Sequence, residues 1–319
     1  MMTSREIFKN TLEFQPVPRG PRIEWAGWWD KTQARFEAEG MPAGMSFEEA
    51  EAYFGLDVMA YLSAQAGKTR IRNEAEYEAV RKELYTDERI DGILERARCI
   101  QPAHARGDAI VRVFFDGYFW HPRDLLGIEE HLYAFYDQPE LLHRINEDLL
   151  DFQLRVLDRL LDVLCPDMAG ISEDMSYNHG PMLSKACFDE FLAPYYKKLI
   201  PRLKEAGIKV FVDSDGLVDD LIPWLLETGV EGIYPLERQA GVDIAELRRK
   251  YPKLLMMGGF DKMVMNQGEE RIREEFERIL PVMRSGGYVA SVDHQTPPEV
   301  SLEDYRTYLK LLFAYSEKV

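Results

Sequence analysis

Lys209-Val-Phe-Val-Asp213-Ser214-Asp215-Gly216 is the stretch on which the reading of this chain turns. An apolar, β-prone run stops abruptly in two acids, a serine and a glycine. A buried strand has no use for two carboxylates at its end unless something there needs them. The same arrangement recurs. Ile171-Ser-Glu173-Asp174 closes one apolar run and Ile233-Tyr-Pro-Leu-Glu237 another. Met257-Gly-Gly-Phe-Asp261-Lys262 and Val289-Ala-Ser-Val-Asp293-His294 complete the set. Helical stretches alternate with these runs, over 184–206, 217–228, about 243–250, 267–284 and 302–317. Five βα units in succession predict a parallel sheet covered by helices. With about three earlier strands the count reaches eight, and the expected fold is α/β, a single (β/α)8 TIM barrel over residues 1–319. A doubly wound open sheet is the alternative. No Gly-x-Gly-x-x-Gly turn follows a strand, which weakens a dinucleotide-binding reading.

Upstream of the alternation, residues 4–14 read as a helix with Ser4 as its N-cap. Pro16, Pro18, Gly20 and Pro21 break the chain after it, so residues 1–20 are expected as a helix and linker packed on the barrel. Arg22-Ile-Glu-Trp25-Ala-Gly-Trp28-Trp29-Asp30 reads as a first strand running into a loop. Lys31–Gly40 and Ser46–Phe54 are expected as helices, the second capped by Ser46. Residues 64–108 are highly charged and suggest a peripheral hairpin and helix. Asp108–Asp116 is a buried strand ending in Asp-Gly. Pro122–Tyr136 and Pro139–Leu164 follow as helices, the second with Leu141, Leu142, Ile145, Leu149, Phe152, Val156 and Leu160 near helical spacing.

The 319 residues are 46% hydrophobic and 30% charged, a globular composition, with a formal net charge of −17. That acidity argues against nucleic acid, whose phosphates need basic patches, and against an anionic membrane surface. No run of about 18 apolar residues is present to span a membrane. Met1-Met-Thr-Ser-Arg-Glu-Ile-Phe-Lys lacks the apolar core of a signal peptide. Cys99, Cys165 and Cys187 are widely spaced and odd in number, forming neither a disulfide framework nor a zinc-finger pattern. A reducing, cytoplasmic setting is expected.

In a TIM barrel the strand C-termini converge on one face, and catalytic groups come from several of them. Glu173, Asp174, Asp213, Asp215, Glu237, Asp261 and His294 would then share one mouth. So many carboxylates repel one another unless they are protonated, hydrogen-bonded, paired or bound to metal. Lys262 and Arg22 are too few as counter-charges, and a divalent cation would solve the problem directly. Structural readings stand beside this. Asp213 or Asp215 can cap the helix that follows, Asp293-His294 can be a turn with a structural histidine, and Glu237-Arg238 a surface ion pair. Glu173-Asp174 can serve only to hydrogen-bond the loop before the long helix. Trp25, Trp28 and Trp29 suit either core packing or an apolar wall for a flat or methylated ligand. Among the other histidines, His179 in Tyr177-Asn-His-Gly180 is the next candidate.

The C-terminal half, about 167–317, resembles the uroporphyrinogen decarboxylase superfamily, which includes zinc-dependent methyltransferases serving corrinoid proteins. The resemblance rests on Glu173-Asp174 ahead of Gly180-Pro-Met-Leu-Ser184, then Phe191-Leu-Ala-Pro194-Tyr-Tyr-Lys-Lys, then Asp213-Ser-Asp-Gly216. Leu226-Glu-Thr-Gly229-Val-Glu-Gly-Ile, Gly286-Gly-Tyr-Val and His294-Gln-Thr-Pro-Pro-Glu-Val-Ser continue it. The N-terminal half matches loosely, through Pro139-Glu-Leu-Leu-His and the Gly127 region. Where Asp213-Ser-Asp-Gly216 stands, the methyltransferases carry His-x-Cys-Gly, and a later cysteine lies near the place of His294. The donors here are harder, and suit zinc, manganese or iron. The decarboxylase grips its polycarboxylate with an arginine-rich segment after the first strand, and Trp25-Ala-Gly-Trp28-Trp29-Asp30 has no arginine.

The resemblance implies a metal-dependent methyltransferase taking a methyl group from a small methylated or methoxylated donor to a separate corrinoid protein. Asp213, Asp215, Glu237 and His294 would be the metal ligands, with zinc the leading metal. Glu173, Asp174, Asp215, Lys262 and His294 would carry the chemistry, and Trp25, Trp28, Trp29, Tyr177 and His179 would contact the donor. A homodimer would fit the resemblance. A decarboxylase acting on uroporphyrinogen or another carboxylate is the second expectation, and a non-catalytic barrel holding a corrinoid or tetrapyrrole the third.

Overall fold

The structure is a computed structural model that describes residues 2–319. The strands are β1 (Val58–Ala64), β2 (Ala109–Asp116), β3 (Met168–Ser172), β4 (Ser176–Tyr177), β5 (Gly180–Pro181), β6 (Lys209–Asp213), β7 (Gly232–Tyr234), β8 (Leu255–Phe260) and β9 (Tyr288–Val292). Helices alternate with them, and the fold is α/β of the TIM-barrel kind, as the βα succession predicts. The chain forms two compact units. The first contains the N-terminal residues to Ala60, Ala103–Ile110 and Gly232–Val319; the second contains Tyr61–Pro102 and Val111–Glu231.

In the first unit β8 runs parallel between β7 and β9. Every residue of β8 and β9 is buried, as expected of strands covered on both faces. The register pairs Phe260 with Val292, so both strands end at one level. Asp261-Lys262 and Asp293-His294 therefore leave the sheet side by side. The helix Ser4–Leu12 passes its end to this sheet, where the Gly287 amide donates to the Thr11 carbonyl at 2.8 Å. Asp57 anchors the segment after that helix. It accepts Arg19 Nη1 and Nη2, each at 2.7 Å, Ser4 Oγ at 2.6 Å and the Arg22 amide at 2.9 Å. Burial pushes the Asp57 carboxyl up, but these donors outweigh it and hold it below its ordinary value.

In the second unit β3 runs parallel between β2 and β6. Asp116 pairs with Ser172, and Ser172 with Asp213, so the chemistry-bearing residues after each strand again emerge together. Pro139–Leu161 is the main covering helix, and all seven apolar residues singled out by spacing are buried. At about 1.5–3 kcal/mol for each fully buried large apolar side chain, that face outweighs the few tenths that an exposed ion pair adds to a helix.

Several expected elements differ. Residues 22–25 form no strand: the Trp25 amide goes to the Ser291 hydroxyl at 3.2 Å and the Arg22 carbonyl accepts from Asp57, so no ladder forms. Seven strands, not eight, make up the parallel runs among the described residues, and β4 and β5 form a separate antiparallel hairpin. The charged 64–108 region is two helices, Glu74–Leu84 and Asp87–Arg106. Residues 184–206 are also two helices, Lys185–Phe191 and Ala193–Glu205. Pro194 lacks an N–H and its ring crowds the carbonyl four residues back, which prevents one continuous helix. Gly127, with φ of +97°, likewise divides 120–137. Thr3, not Ser4, caps the first helix, in a capping box with Glu6. The caps at Ser46 and Ser184 are as expected.

Candidate functional site

In the first unit, three consecutive strand ends deliver Glu237, Lys262 and His294. A Glu237 carboxylate oxygen and a His294 ring nitrogen lie within 4.8 Å of each other. Lys262 is mostly buried, its ammonium 3.9 Å from Glu237 and 3.7 Å from Asp293. Both distances exceed normal hydrogen-bond length. The ammonium is held by two opposite charges and keeps its donors for something else. Asp293 itself is wholly buried. It accepts the Lys262 amide at 3.1 Å and the Arg238 amide at 2.9 Å, while burial raises its carboxyl to about 6.

Aromatic groups surround this cluster. Trp25 meets His294 edge-on with 6.5 Å between ring centres, and Tyr234 at 5.1 Å; its indole N–H donates to the Val292 carbonyl at 2.7 Å. A cavity of about 550 Å³ is lined by Trp28, Trp29, Lys262, Gln295, Pro297 and Pro298, among others. Trp29 is 49% exposed there, which is a large apolar surface left to solvent. Trp28 contributes one edge to the cavity, while Phe36, Phe47, Phe54 and Tyr305 pack round the rest of its ring. Asp261 is occupied as a cap, accepting the Met263 amide at 2.9 Å and the Gln239 side-chain amide at 2.8 Å. Arg22 is not among these groups. It pairs with Glu317 and lies over the Phe313 ring.

In the second unit Glu173 is wholly buried and its carboxylate is saturated. It accepts the amides of Tyr118, Phe119 and Trp120 at 3.0, 2.8 and 3.1 Å, and the Tyr196 hydroxyl. Gly117 makes room for it, since a Cβ there would lie 2.1 Å from the Glu173 carboxyl carbon. Burial nevertheless pushes Glu173 up to about 7. Asp174 adopts φ of +42°, a left-handed conformation that costs an ordinary residue energy and clusters at functional loops. Its carboxylate receives the Asp215 amide at 3.4 Å, and its own amide donates to the Asp213 carbonyl. The hairpin bearing the exposed Tyr177 and His179 is tied to the same loop through the Leu217 amide and the Tyr177 carbonyl, at 2.9 Å. Gly216 makes this docking possible. Its φ is +81°, and a Cβ would stand 2.7 Å from the Tyr177 backbone.

Glu237 and His294 present hard oxygen and nitrogen donors, a set that suits zinc, manganese or iron(II). All three cysteines lie in the second unit, so the Glu237–His294 pair has no thiolate from its own unit. Two groups in the first unit went unassigned on sequence. Asp293 carries the same signal as Asp213, an acid ending a buried strand, yet its neighbour His294 drew the assignment. Glu24 stands between two apolar residues and is wholly buried. It accepts the Ser291 hydroxyl at 2.5 Å, and burial raises it to about 7.

The family model described as uroporphyrinogen decarboxylase (URO-D) matches residues 41–314, reaching well ahead of the 167–317 stretch that carries the motifs. A uroporphyrinogen decarboxylase of Ruthia magnifica subsp. Calyptogena magnifica is 21% identical over 192 residues, 57% of this chain and 52% of that protein. The match thus spans about half of that relative's length. Among solved structures, a methyltransferase from Methanosarcina mazei superposes with a TM-score of 0.74 at 12% identity, covering 99% of each chain. The YdhT protein from Bacillus subtilis gives a TM-score of 0.52 at 11% identity, over 98% of this chain and 88% of that one. At such identities the likeness is one of fold. Among the described residues no helix is long and apolar enough to cross a membrane.

Proposed function

We propose that this chain, which belongs to the uroporphyrinogen decarboxylase family, is a metal-dependent methyltransferase that moves a methyl group from a small methylated or methoxylated compound to a corrinoid carried by a partner protein. The observation that carries this reading is the cluster of Glu237, His294 and Lys262 beside an aromatic-walled cavity. We propose Glu237 and His294, both in the first unit, as the ligand pair; in the second unit, Asp213 and Asp215 are the carboxylates that the family resemblance assigns to a metal. A bound metal would supply Lewis acidity at the donor's heteroatom, weakening its bond to the methyl carbon.

The chain's own residues do the rest. Trp25, Trp28 and Trp29 bind the donor and exclude water from it. The methyl group leaves without its bonding electron pair, so negative charge develops on the heteroatom. The Lys262 ammonium donates a hydrogen bond or proton to that atom and offsets the charge. Glu173 and Asp174 brace the loop that carries Asp215.

Two measurements test this. Elemental analysis of the purified protein should find zinc, manganese or iron near one per chain. Incubation with cob(I)alamin and a panel of methylated amines, thiols and methoxylated phenols should discharge the cob(I)alamin absorbance with one donor class. A protein that binds none of the three metals at micromolar levels sinks the mechanism. A decarboxylase is the second reading, favoured by the 21% identity to a protein of that name. It requires uroporphyrinogen turnover without metal or corrinoid, and the arginine-free 25–30 segment argues against a polycarboxylate substrate.

A further inference from the structure

Asp293 has no exposed surface, yet it carries a carboxylate. An uncompensated buried charge is costly, so its partners indicate what it is for. Its own amide donates to the Phe260 carbonyl at the end of β8, at 2.8 Å. One carboxylate oxygen accepts the amide of Lys262, on the loop after β8, and the other the amide of Arg238, on the loop after β7. Residue 238 follows Glu237, and residue 294 follows Asp293. One side chain thereby joins three strand-end loops, each bearing one member of the cluster. The same carboxylate draws the Lys262 ammonium to 3.7 Å while leaving its donors open toward the cavity.

We infer that Asp293 is a positioning residue, the clamp that fixes the spacing of Glu237, Lys262 and His294. The inference rests on the proposed site at those residues. The clamp needs an acceptor on both sides. An asparagine would present an NH2 to one of the two backbone amides, donor against donor, and release one loop.

The test compares the full-length wild-type chain with Asp293→Asn and Asp57→Asn. Asp57 is a buried carboxylate of the same unit that serves the N-terminal segment, so it controls for lost stability. Two readouts are taken: hydrogen exchange at residues 236–240 and 261–264 without metal, and the visible spectrum and chelator-competed affinity of cobalt(II). Asp293→Asn should speed exchange in both loops about tenfold or more, shift the cobalt bands and weaken cobalt binding about tenfold, in line with losses on removing groups that orient metal ligands. Asp57→Asn should leave all of these within twofold. Unchanged exchange and spectrum in Asp293→Asn would overturn the inference, as would equal changes in Asp57→Asn. Should Asp293→Asn not fold, Asp293→Glu keeps the charge but not the reach, and the same outcomes decide. Cobalt failing to bind the wild-type chain would count against the metal reading alone, and the exchange rates would still decide the clamp.

Discussion

Glu24 and Glu173 are both wholly buried carboxyls lifted by burial to about 7, yet the same substitution should affect them in opposite ways. In each, the folded state keeps a proton that the unfolded chain gives up near pH 4.5. The folded state is favoured fully below that value, and the benefit drains away as pH rises through 7. Glu24→Gln preserves an acceptor for Ser291 and removes the ionisation. It should flatten the fall in stability between pH 5 and 8, with a gain of up to about 3 kcal/mol at pH 8, read from urea unfolding at each pH. Glu173 accepts three amides and a phenol, more than one amide oxygen can serve, so Glu173→Gln should destabilise at every pH. Tyr196→Phe, removing one charge-assisted donor, should cost about 1.5–3 kcal/mol. At this scale the sequence revealed which acids end strands. It could not reveal which of them face protein donors. Glu173 and Asp215 look alike in the chain, and only the folded backbone near Gly117 distinguishes them.

At the scale of elements, the βα alternation from residue 167 onward was legible because parallel strands buried on both faces read as apolar runs. The caps at Ser46 and Ser184 were legible too, since their chemistry is local. Over 74–106 only one of the two helices was legible, since a hairpin was expected beside it. Charges dominate there, and the buried Ile90, Ile93, Leu94, Ala97 and Ile100 form a narrow stripe among them. The segment 22–25 reads as a strand by composition, but its polar backbone finds side-chain partners instead of a ladder. The loop after β6 offers the sharpest test here. Gly216→Ala would strain a left-handed position and drive a Cβ into the Tyr177 backbone. It should destabilise by about 2 kcal/mol or more, and should expose the 176–181 hairpin to proteolysis, read as a new cleavage site by mass spectrometry.

For the whole molecule, the family and fold were within reach of the sequence, because the motifs after 167 are dense and their spacing is regular. The substrate was not, since a small molecule is recognised by a cavity whose walls come from residues far apart in the chain. Zinc at about 100 times its dissociation constant should stabilise the fold by about 2.7 kcal/mol, read as a rise in Tm. His294→Ala should abolish that rise while retaining the metal-free Tm within a few degrees. A zinc-induced rise that persists in the variant would place the ion elsewhere.

The first unit is assembled from both ends of the chain, and this bears on how the protein is made. Glu24 meets Ser291, Trp25 meets Val292, the end of the first helix meets Gly287, and Arg22 meets Glu317. Synthesis proceeds from the N-terminus at about 5–20 residues per second. On that clock Trp25 waits roughly ten seconds or more for Tyr234, Val292 and His294, its partners in the fold. Throughout that interval its indole lacks these partners. A residue packed by near neighbours in the sequence has no such interval, so the cost of this long-range closure falls on Trp25.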